Sequence, residues 1–408
     1  MARERAKRKP AARLAEVTIA EIGGRGDGIA RLDGRPLYVP FTLPGDRVSV
    51  RIEGVRGDGL VGQAVAMLAA GPGRVEPPCP HFGRCGGCAL QHLEDGLYAG
   101  WKAAQVAQAL ARRGLREVPL RPLIRIPWGT RRRASLVAER AGNAVRLGFH
   151  ERLSHRVVDA TVCLVLTPGL AALLPPLRAA LLPLLAERER AQLTLTEADR
   201  GIDLLVGTAH PPGLAAHEAL AAFAEATHLA RLAWRGPAGP PEPIALRRPV
   251  EMRFGGVTVD LPAGAFLQPS AGGEAALTAM VTAALAPCRE VADLYAGCGT
   301  FSFPLARTAR VHAVEGDGEA IGALAAAARR AGLGQRVSAA TRDLADNPLE
   351  PAELARFDGV VFDPPRAGAR AQAGMLAASR VGSVVAVSCD PATFARDARL
   401  LVDGGYRL

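Results

Sequence analysis

Apolar and polar positions alternate with period two through residues 16–22 and again through 47–52, the pattern of half-buried β-strands. Turn residues at 23–28, 33–34, 44–45 and 56–59 cut residues 14–70 into about five short strands, which predicts a small closed β-barrel of the OB type. Residues 71–95 read as a loop rich in proline, glycine and cysteine, and 97–114 as a helix with Val106, Ala107 and Leu110 on one side. Strand patterns follow at 134–137, 145–149 and 193–206, with a proline-interrupted helical stretch at 170–186 and a Pro/Gly linker at 236–243. Beyond 251 the period switches back and forth. Short apolar runs at 291–295, 311–314, 337–340, 357–362 and 384–387 are separated by helical segments at 300–307, 318–331 and 393–402. Such alternation predicts a doubly wound, Rossmann-like α/β sheet. The expected architecture is therefore multidomain: a tail at 1–13, the barrel at 14–70, an α+β central domain at 71–250 and the α/β domain at 251–408.

Length and composition sharpen this picture. A chain of 408 residues exceeds one ordinary core. Aromatics are only 4% of it, so small aliphatic side chains must fill the interior. The longest greasy stretch, 170–186, is broken by Pro175, Pro176, Arg178 and Pro183 and falls short of a membrane span. The first residues lack the apolar centre of a signal peptide, and the expectation is a cytoplasmic monomer with no membrane partner. The net charge is +10. Residues 1–13 carry Arg3, Arg5, Lys7, Arg8, Lys9 and Arg13 against Glu4, which suits a polyanion such as RNA. Lysine occurs only at 7, 9 and 102, so the remaining cations are arginines, able to fork onto phosphates and stack on bases.

Four motifs carry chemistry. Cys79, Cys85 and Cys88 share a glycine-bent loop, with Cys163 far downstream. Three thiolates and a distant fourth can close a metal centre, and zinc or a 4Fe–4S cluster both fit the spacing. An odd total of seven cysteines argues against a disulfide framework. The second motif ends a strand in a glycine turn with Tyr295, Gly297, Gly299 and Thr300, and Glu315 closes the next strand. Glycines let a ligand approach the backbone, and a carboxylate there accepts ribose hydroxyls. The turn lacks GxGxxG, so S-adenosylmethionine is expected rather than a dinucleotide. Asp343, after the following strand, either reaches the adenine amino group or caps a helix. The third motif, Asp363-Pro364-Pro365-Arg366, stiffens a strand end around a carboxylate. The fourth, Ser388-Cys389-Asp390-Pro391, puts a thiol just ahead of a helix whose N-cap is Asp390 and whose first residue is Pro391. The helix dipole favours the thiolate there, which makes Cys389 the candidate nucleophile.

Together these motifs resemble the RNA 5-methyluridine methyltransferases, most closely the rRNA-modifying branch that carries an iron–sulfur cluster. The resemblance spans nearly the whole chain. It implies that residues 14–70 form the family's RNA-binding TRAM domain and that helix 97–114 packs on the catalytic domain. It assigns Cys79, Cys85, Cys88 and Cys163 to a 4Fe–4S cluster in preference to zinc, and Arg131, Arg132 and Arg133 to RNA binding. Phe266-Leu267-Gln268 matches a Phe-x-Gln element whose glutamine contacts the cofactor, and Tyr295, Glu315 and Asp363 match further contacts with cofactor and uracil. Related tRNA-modifying enzymes are expected to lack the barrel and cluster, which favours rRNA.

Thr300 and Ser270 stand where the family usually has Asn. No glutamate matching the family's general base follows Cys389, and the chain ends as a last strand pair would begin. Three readings are open at this point: a uracil-5 methyltransferase using Cys389 and Asp363, an RNA-binding protein of the same fold with little turnover, and a cluster-based redox sensor.

Overall fold

The computed structural model describes residues 13–152 and 154–408. Most of the expected basic tail, residues 1–12, lies outside the described residues. The chain divides into two compact units: one runs to Gln105 and takes in His150–Val158, and the other holds Val106–Phe149 and Asp159–Leu408. These divisions differ from those expected at 70 and 250. The reason is that the segment 150–158 pairs with the cysteine-bearing loop, through Gly86 N–H to His150 O at 2.9 Å and a bridge between Cys85 and Glu151.

In the first unit β1 (Leu14–Thr18), β2 (Glu21–Ile22), β3 (Asp27–Leu32), β4 (Arg35–Pro40), β5 (Arg47–Arg56) and β6 (Gly59–Ala69) form one sheet in the order β1-β5-β6-β4-β3-β2. The pairs are antiparallel except β4 with β6. Register shifts in the long β5–β6 pair add twist where the sheet must coil. The alternating apolar positions point inward as Val17, Ile19, Leu37, Val39, Val48 and Val50. Gly28 is required by close packing: a Cβ there would sit 2.1 Å from Thr42 Oγ1. Buried Asp46 ties the barrel to the loop after it, accepting from Leu43 N–H, Gly71 N–H and the Arg74 guanidinium.

In the second unit β7 (Arg133–Ala141), β8 (Ala144–Gly148), β9 (Arg190–Ala198), β10 (Gly201–Gly207), β11 (Arg231–Arg235) and β12 (Glu242–Leu246) form a mixed sheet in the order β12-β11-β10-β9-β7-β8. α2 (Pro168–Leu181) and α3 (Leu214–Ala226) contribute Leu170, Leu174, Leu177 and Leu220 to its core. Residues 236–241 are a hairpin loop between β11 and β12, not a domain linker. Glycine and proline punctuate both kinds of connection, so composition could not separate them.

The hairpin of β13 (Glu251–Phe254) and β14 (Val257–Asp260) precedes α4 (Ala271–Ala284). A parallel sheet follows, ordered β17-β16-β15-β18-β19, from β15 (Glu290–Leu294), β16 (Arg310–Glu315), β17 (Val337–Thr341), β18 (Gly359–Phe362) and β19 (Ser383–Ala386). This is the doubly wound arrangement, with the order reversing at β15. The helix expected at 300–307 is shorter, a single turn at Ser302–Leu305 with Pro304 inside it. α6 (Gly318–Arg330) and α9 (Pro391–Asp403) cover the sheet with buried small residues, Ala320, Ala327, Ala395 and Ala398 among them. The last turns of α1 (Asp95–Ala111) place Leu110 in a cluster with Leu115, Ala395 and Ala398 of the same unit. No helix among the described residues is long and apolar enough to cross a membrane.

Candidate active site

The second unit brings Tyr295, Gly297, Gly299, Thr300, Glu315, Asp343, Asp363 and Cys389 to the carboxyl edge of its parallel sheet, the side on which such folds bind ligands. β15 ends in a sharp turn. Tyr295 has a φ of 61°, Gly297 of 53° and Gly299 of 99°. Gly299 packs so closely that a Cβ would lie 2.6 Å from the Phe303 ring, whereas the space beside Gly297 is open. The Gly297 N–H donates to Glu315 Oε2 at 2.9 Å, and Asp317 N–H donates to Glu315 Oε1 at 3.0 Å. The backbone thus holds the Glu315 carboxylate against the glycine turn, with lone pairs left for hydroxyl donors.

Beneath the turn lies Asp293, a buried carboxyl that sequence reasoning left without a role. Ser302 Oγ donates to its Oδ2 at 2.5 Å, while Oδ1 has no hydrogen-bond partner. Burial, with Asp363 and Glu315 adding repulsion and Ser302 opposing, pushes its pKa up to about 7. Tyr295 is pushed up to about 12 by burial, then by Asp343, Asp397 and Glu315. Tyr295 also lines an open cavity of about 590 Å³ with Ala345, Gly368 and Leu400. Asp343 caps no helix. Its Oδ1 accepts from Ala345 N–H at 2.9 Å in an exposed turn.

β18 delivers Asp363 and β19, its parallel neighbour, delivers Cys389. Asp363 Oδ2 accepts from Gln268 Nε2 at 2.8 Å. Burial raises the Asp363 carboxyl to about 6, against the Gln268 bond, which lowers it. Cys389 is the one exposed cysteine among the described residues, whereas Cys288 and Cys298 are buried. The helix start behind Cys389 forms as expected: Asp390 accepts from Ala392 N–H and Thr393 N–H, and Pro391 occupies the first turn. Arg366 Nε lies 3.4 Å from Asp390 Oδ2, so the fourth residue of the Asp-Pro-Pro motif steadies the next loop.

The arginines 131–133 divide. Arg131 is exposed. Arg132 is buried and pairs with Glu274 at 2.6 Å, and its Nε donates to Gln268 O. Burial pushes the Glu274 carboxyl up, which Arg132 beside it opposes. Arg133 donates to the carbonyls of Ala265 and Gly264, and its guanidinium lies 5.4 Å from the centre of the Phe266 ring. This arrangement leaves Arg131 the most accessible of the three. Arg132 and Arg133 are spent on the backbone that carries Gln268, and phosphate would have to displace those bonds. Nothing in the local pattern separates a buried arginine from an exposed one within a run of three.

The cysteines are placed differently. Cys79, Cys85 and Cys88 are half-buried in the first unit, on a loop held by Phe82 N–H to Cys79 O and Cys85 N–H to His81 O. Cys163 belongs to the second unit, half-buried at the margin of its mixed-sheet core. None of the seven forms a disulfide. Among the described residues no group of three or more His, Cys, Asp or Glu side chains is arranged to hold a metal ion.

A doubly wound domain with a glycine turn, a backbone-held carboxylate and an exposed thiol beyond a strand end, on a chain that also carries a small barrel, has the features of a cofactor-dependent transferase. The TRAM domain family matches residues 13–65. An uncharacterised RNA methyltransferase of Rhizobium meliloti is 40% identical across 96% of this chain and 93% of its own. The 23S rRNA (uracil(1939)-C(5))-methyltransferase of Chromohalobacter salexigens is 38% identical across 96% of this chain and 84% of its own. The chain belongs to the RNA methyltransferase family. Its fold is shared with the tRNA (uracil-54, C5)-methyltransferase of Pyrococcus abyssi, solved with S-adenosyl-L-homocysteine, at a TM-score of 0.71 and 22% identity over 95% of this chain and 93% of that one. A tRNA-modifying enzyme thus shares the fold across almost the whole chain, barrel included, and the barrel does not by itself separate rRNA from tRNA.

Proposed function

We propose that this chain methylates C5 of a uracil in RNA, with ribosomal RNA as the substrate class, and that Cys389 is its nucleophile. The observation that carries the reading is the exposed Cys389 thiol, in the loop that follows β19, the strand paired with the one that leads into Asp363 and its hydrogen bond from Gln268. Uracil C5 is a poor nucleophile. Addition of the Cys389 thiolate to C6 forms an S–C6 bond and moves electron density to C5. S-adenosylmethionine, when bound, supplies the methyl group. The open space at Gly297, the fixed Glu315 carboxylate and the unpartnered Asp293 Oδ1 suit its ribose and amino groups. A base then takes the C5 proton, the S–C6 bond breaks, and Cys389 leaves as thiolate. Asp363, oriented by Gln268, holds the uracil imide edge or moves a proton beside it. The target base must leave its stack to reach this edge.

The rRNA assignment rests on the Chromohalobacter relative. The 4Fe–4S cluster is carried only as a proposal from cysteine spacing and family likeness, and no step of the reaction runs through it. The cytoplasm is the compartment in which such a substrate is met. The test is mass spectrometry of rRNA and tRNA from cells with and without the gene. Loss of one 5-methyluridine from rRNA is expected. Loss from tRNA alone would overturn the substrate class, and unchanged methylation in both would overturn the function. In vitro, RNA carrying 5-fluorouridine should trap the chain covalently, since fluorine cannot leave C5 as a proton does.

A further inference from the structure

Arg132 and Arg133 bond the backbone of the Gln268 loop, which leaves Arg131 as the exposed member of that run. Immediately before them the chain runs exposed through every residue from 119 to 128. Over that run Leu120, Leu123, Ile124, Ile126 and Trp128 keep 45, 43, 54, 37 and 50% of their surface in solvent. Arg121, Arg125 and Arg131 alternate with them, and no carboxylate occurs between 118 and 131. Contiguous exposed apolar surface of this kind marks an interaction site.

The segment is stiff and tethered at both ends. Pro119, Pro122 and Pro127 restrict its backbone. At one end Leu115 is buried against Ala395 and Ala398 of α9. At the other, Gly129 N–H bonds Leu164 O and Arg131 N–H bonds Val165 O. Ile126 rests on Gly272 and Gly273 at the start of α4, and Arg132 N–H bonds Pro269 O beside Gln268. The exposed run therefore leads to the loop that orients Asp363, all within one unit.

We infer that residues 119–131 form a track for the single-stranded part of the RNA substrate, on which a base next to the target uridine stacks on Trp128 while Arg121 and Arg131 neutralise phosphates. The inference rests on the RNA methyltransferase reading. Its chemistry is that of sequence-tolerant strand binding: a cationic groove plus aromatic faces, which every base can use. Unstacked bases are what RNA-binding proteins hold in this way, and a base already pulled from its helix lowers the cost of flipping its neighbour. The alternation of guanidinium and apolar groups favours RNA over an apolar protein partner, since an apolar face would offer the exposed Arg121 and Arg131 no anion.

The test compares the full chain with Trp128→Ala, Trp128→Phe and Arg121→Gln. The probes are a single-stranded uridine-containing RNA of about 20 nucleotides and S-adenosylhomocysteine. Trp128→Ala should weaken RNA binding and raise the RNA KM by roughly tenfold. Its affinity for S-adenosylhomocysteine should be unchanged, which also shows that the variant folds. Trp128→Phe should restore most of the loss. Arg121→Gln should reduce the slope of log affinity against log salt by about 0.7. Equal RNA affinity for Trp128→Ala and the parent chain would overturn the track. A dimer in sedimentation that RNA does not dissociate and that Trp128→Ala makes monomeric would also overturn it, assigning the surface to a second copy. If the parent chain methylates no RNA, the functional reading fails, and the oligonucleotide titration still decides the track.

Discussion

Two regions of this molecule gather reactive side chains, and they do it by opposite means. At the parallel-sheet edge, Glu315, Asp363 and Cys389 are far apart in sequence, yet strand pairing brings the strand ends that carry them to one edge, as with Phe362 opposite Ala386 in β18 and β19, and Gln268 joins them through its hydrogen bond to Asp363. In the loop at 79–88, three cysteines lie within ten residues of one another, held by turns and a single bridge from Cys85 to Glu151 rather than by a continuous ladder, and among the described residues no metal-holding group of three or more is found. Proximity in sequence is a weaker constraint than a shared hydrogen-bonded scaffold. A loop site gains its geometry from the bound group, whereas a strand-end site is built before any ligand arrives.

Cys389→Ala tests the scaffolded half most severely. Methylation should be abolished while affinity for S-adenosylhomocysteine, measured by calorimetry, stays nearly intact, because in the proposed mechanism the thiol acts only on uracil. Turnover at the parent rate in this variant would remove Cys389 from the mechanism and with it the reason for comparing the two regions.

The loop half is tested by metal content. Protein purified without oxygen is expected to be brown and to hold about four irons per chain, and Cys85→Ser should lose them with little change in S-adenosylhomocysteine binding. Stoichiometric zinc in place of iron would refute the cluster, and a metal-free chain would leave the loop with a purely structural role.

Arg132→Ala probes how much the sheet-edge site depends on its supports. Removing one partner of a buried ion pair typically costs ~3–5 kcal/mol, here by leaving Glu274 uncompensated and freeing the Gln268 carbonyl. Urea unfolding should show a loss of that size, with an increase in the KM for S-adenosylmethionine beyond any change in RNA affinity. A variant weakened only toward RNA would return Arg132 to the phosphate role expected from sequence.

The smallest effect concerns Asp293. Its folded pKa of about 7 lies above the ordinary carboxyl value of 3.8. The folded state therefore favours the protonated form, and the stability it contributes is lost as pH rises from about 4 through 7. Asp293→Asn keeps an acceptor for Ser302 and carries no charge. Relative to the parent chain it should gain on the order of 1–3 kcal/mol between pH 5 and pH 8, read from urea midpoints across that range. Parallel pH profiles for the two proteins would mean that Asp293 stays ionised.

Much of this was legible in the residues themselves. Period-two alternation and glycine turns announced the barrel, and the switching of periods beyond 251 announced the doubly wound sheet, because side-chain periodicity follows directly from strand and helix geometry. Asp390 and Pro391 announced the start of α9, since an N-cap and a first-turn proline act within a few residues. Sequence therefore determined the local elements and the chemical types of the site. Tertiary structure alone decided which members of a run were used. It buried Arg132 with Glu274 and left Arg131 in solvent. It made residues 236–241 a hairpin loop and put segment 150–158 beside the cysteines. It set Asp293 among two other carboxylates and shortened the helix after the glycine turn. The ion pair, the placing of segment 150–158 and the setting of Asp293 each depend on partners more than twenty residues away, and burial, which sets both ion pairing and pKa, is a property of that distant neighbourhood rather than of the residue.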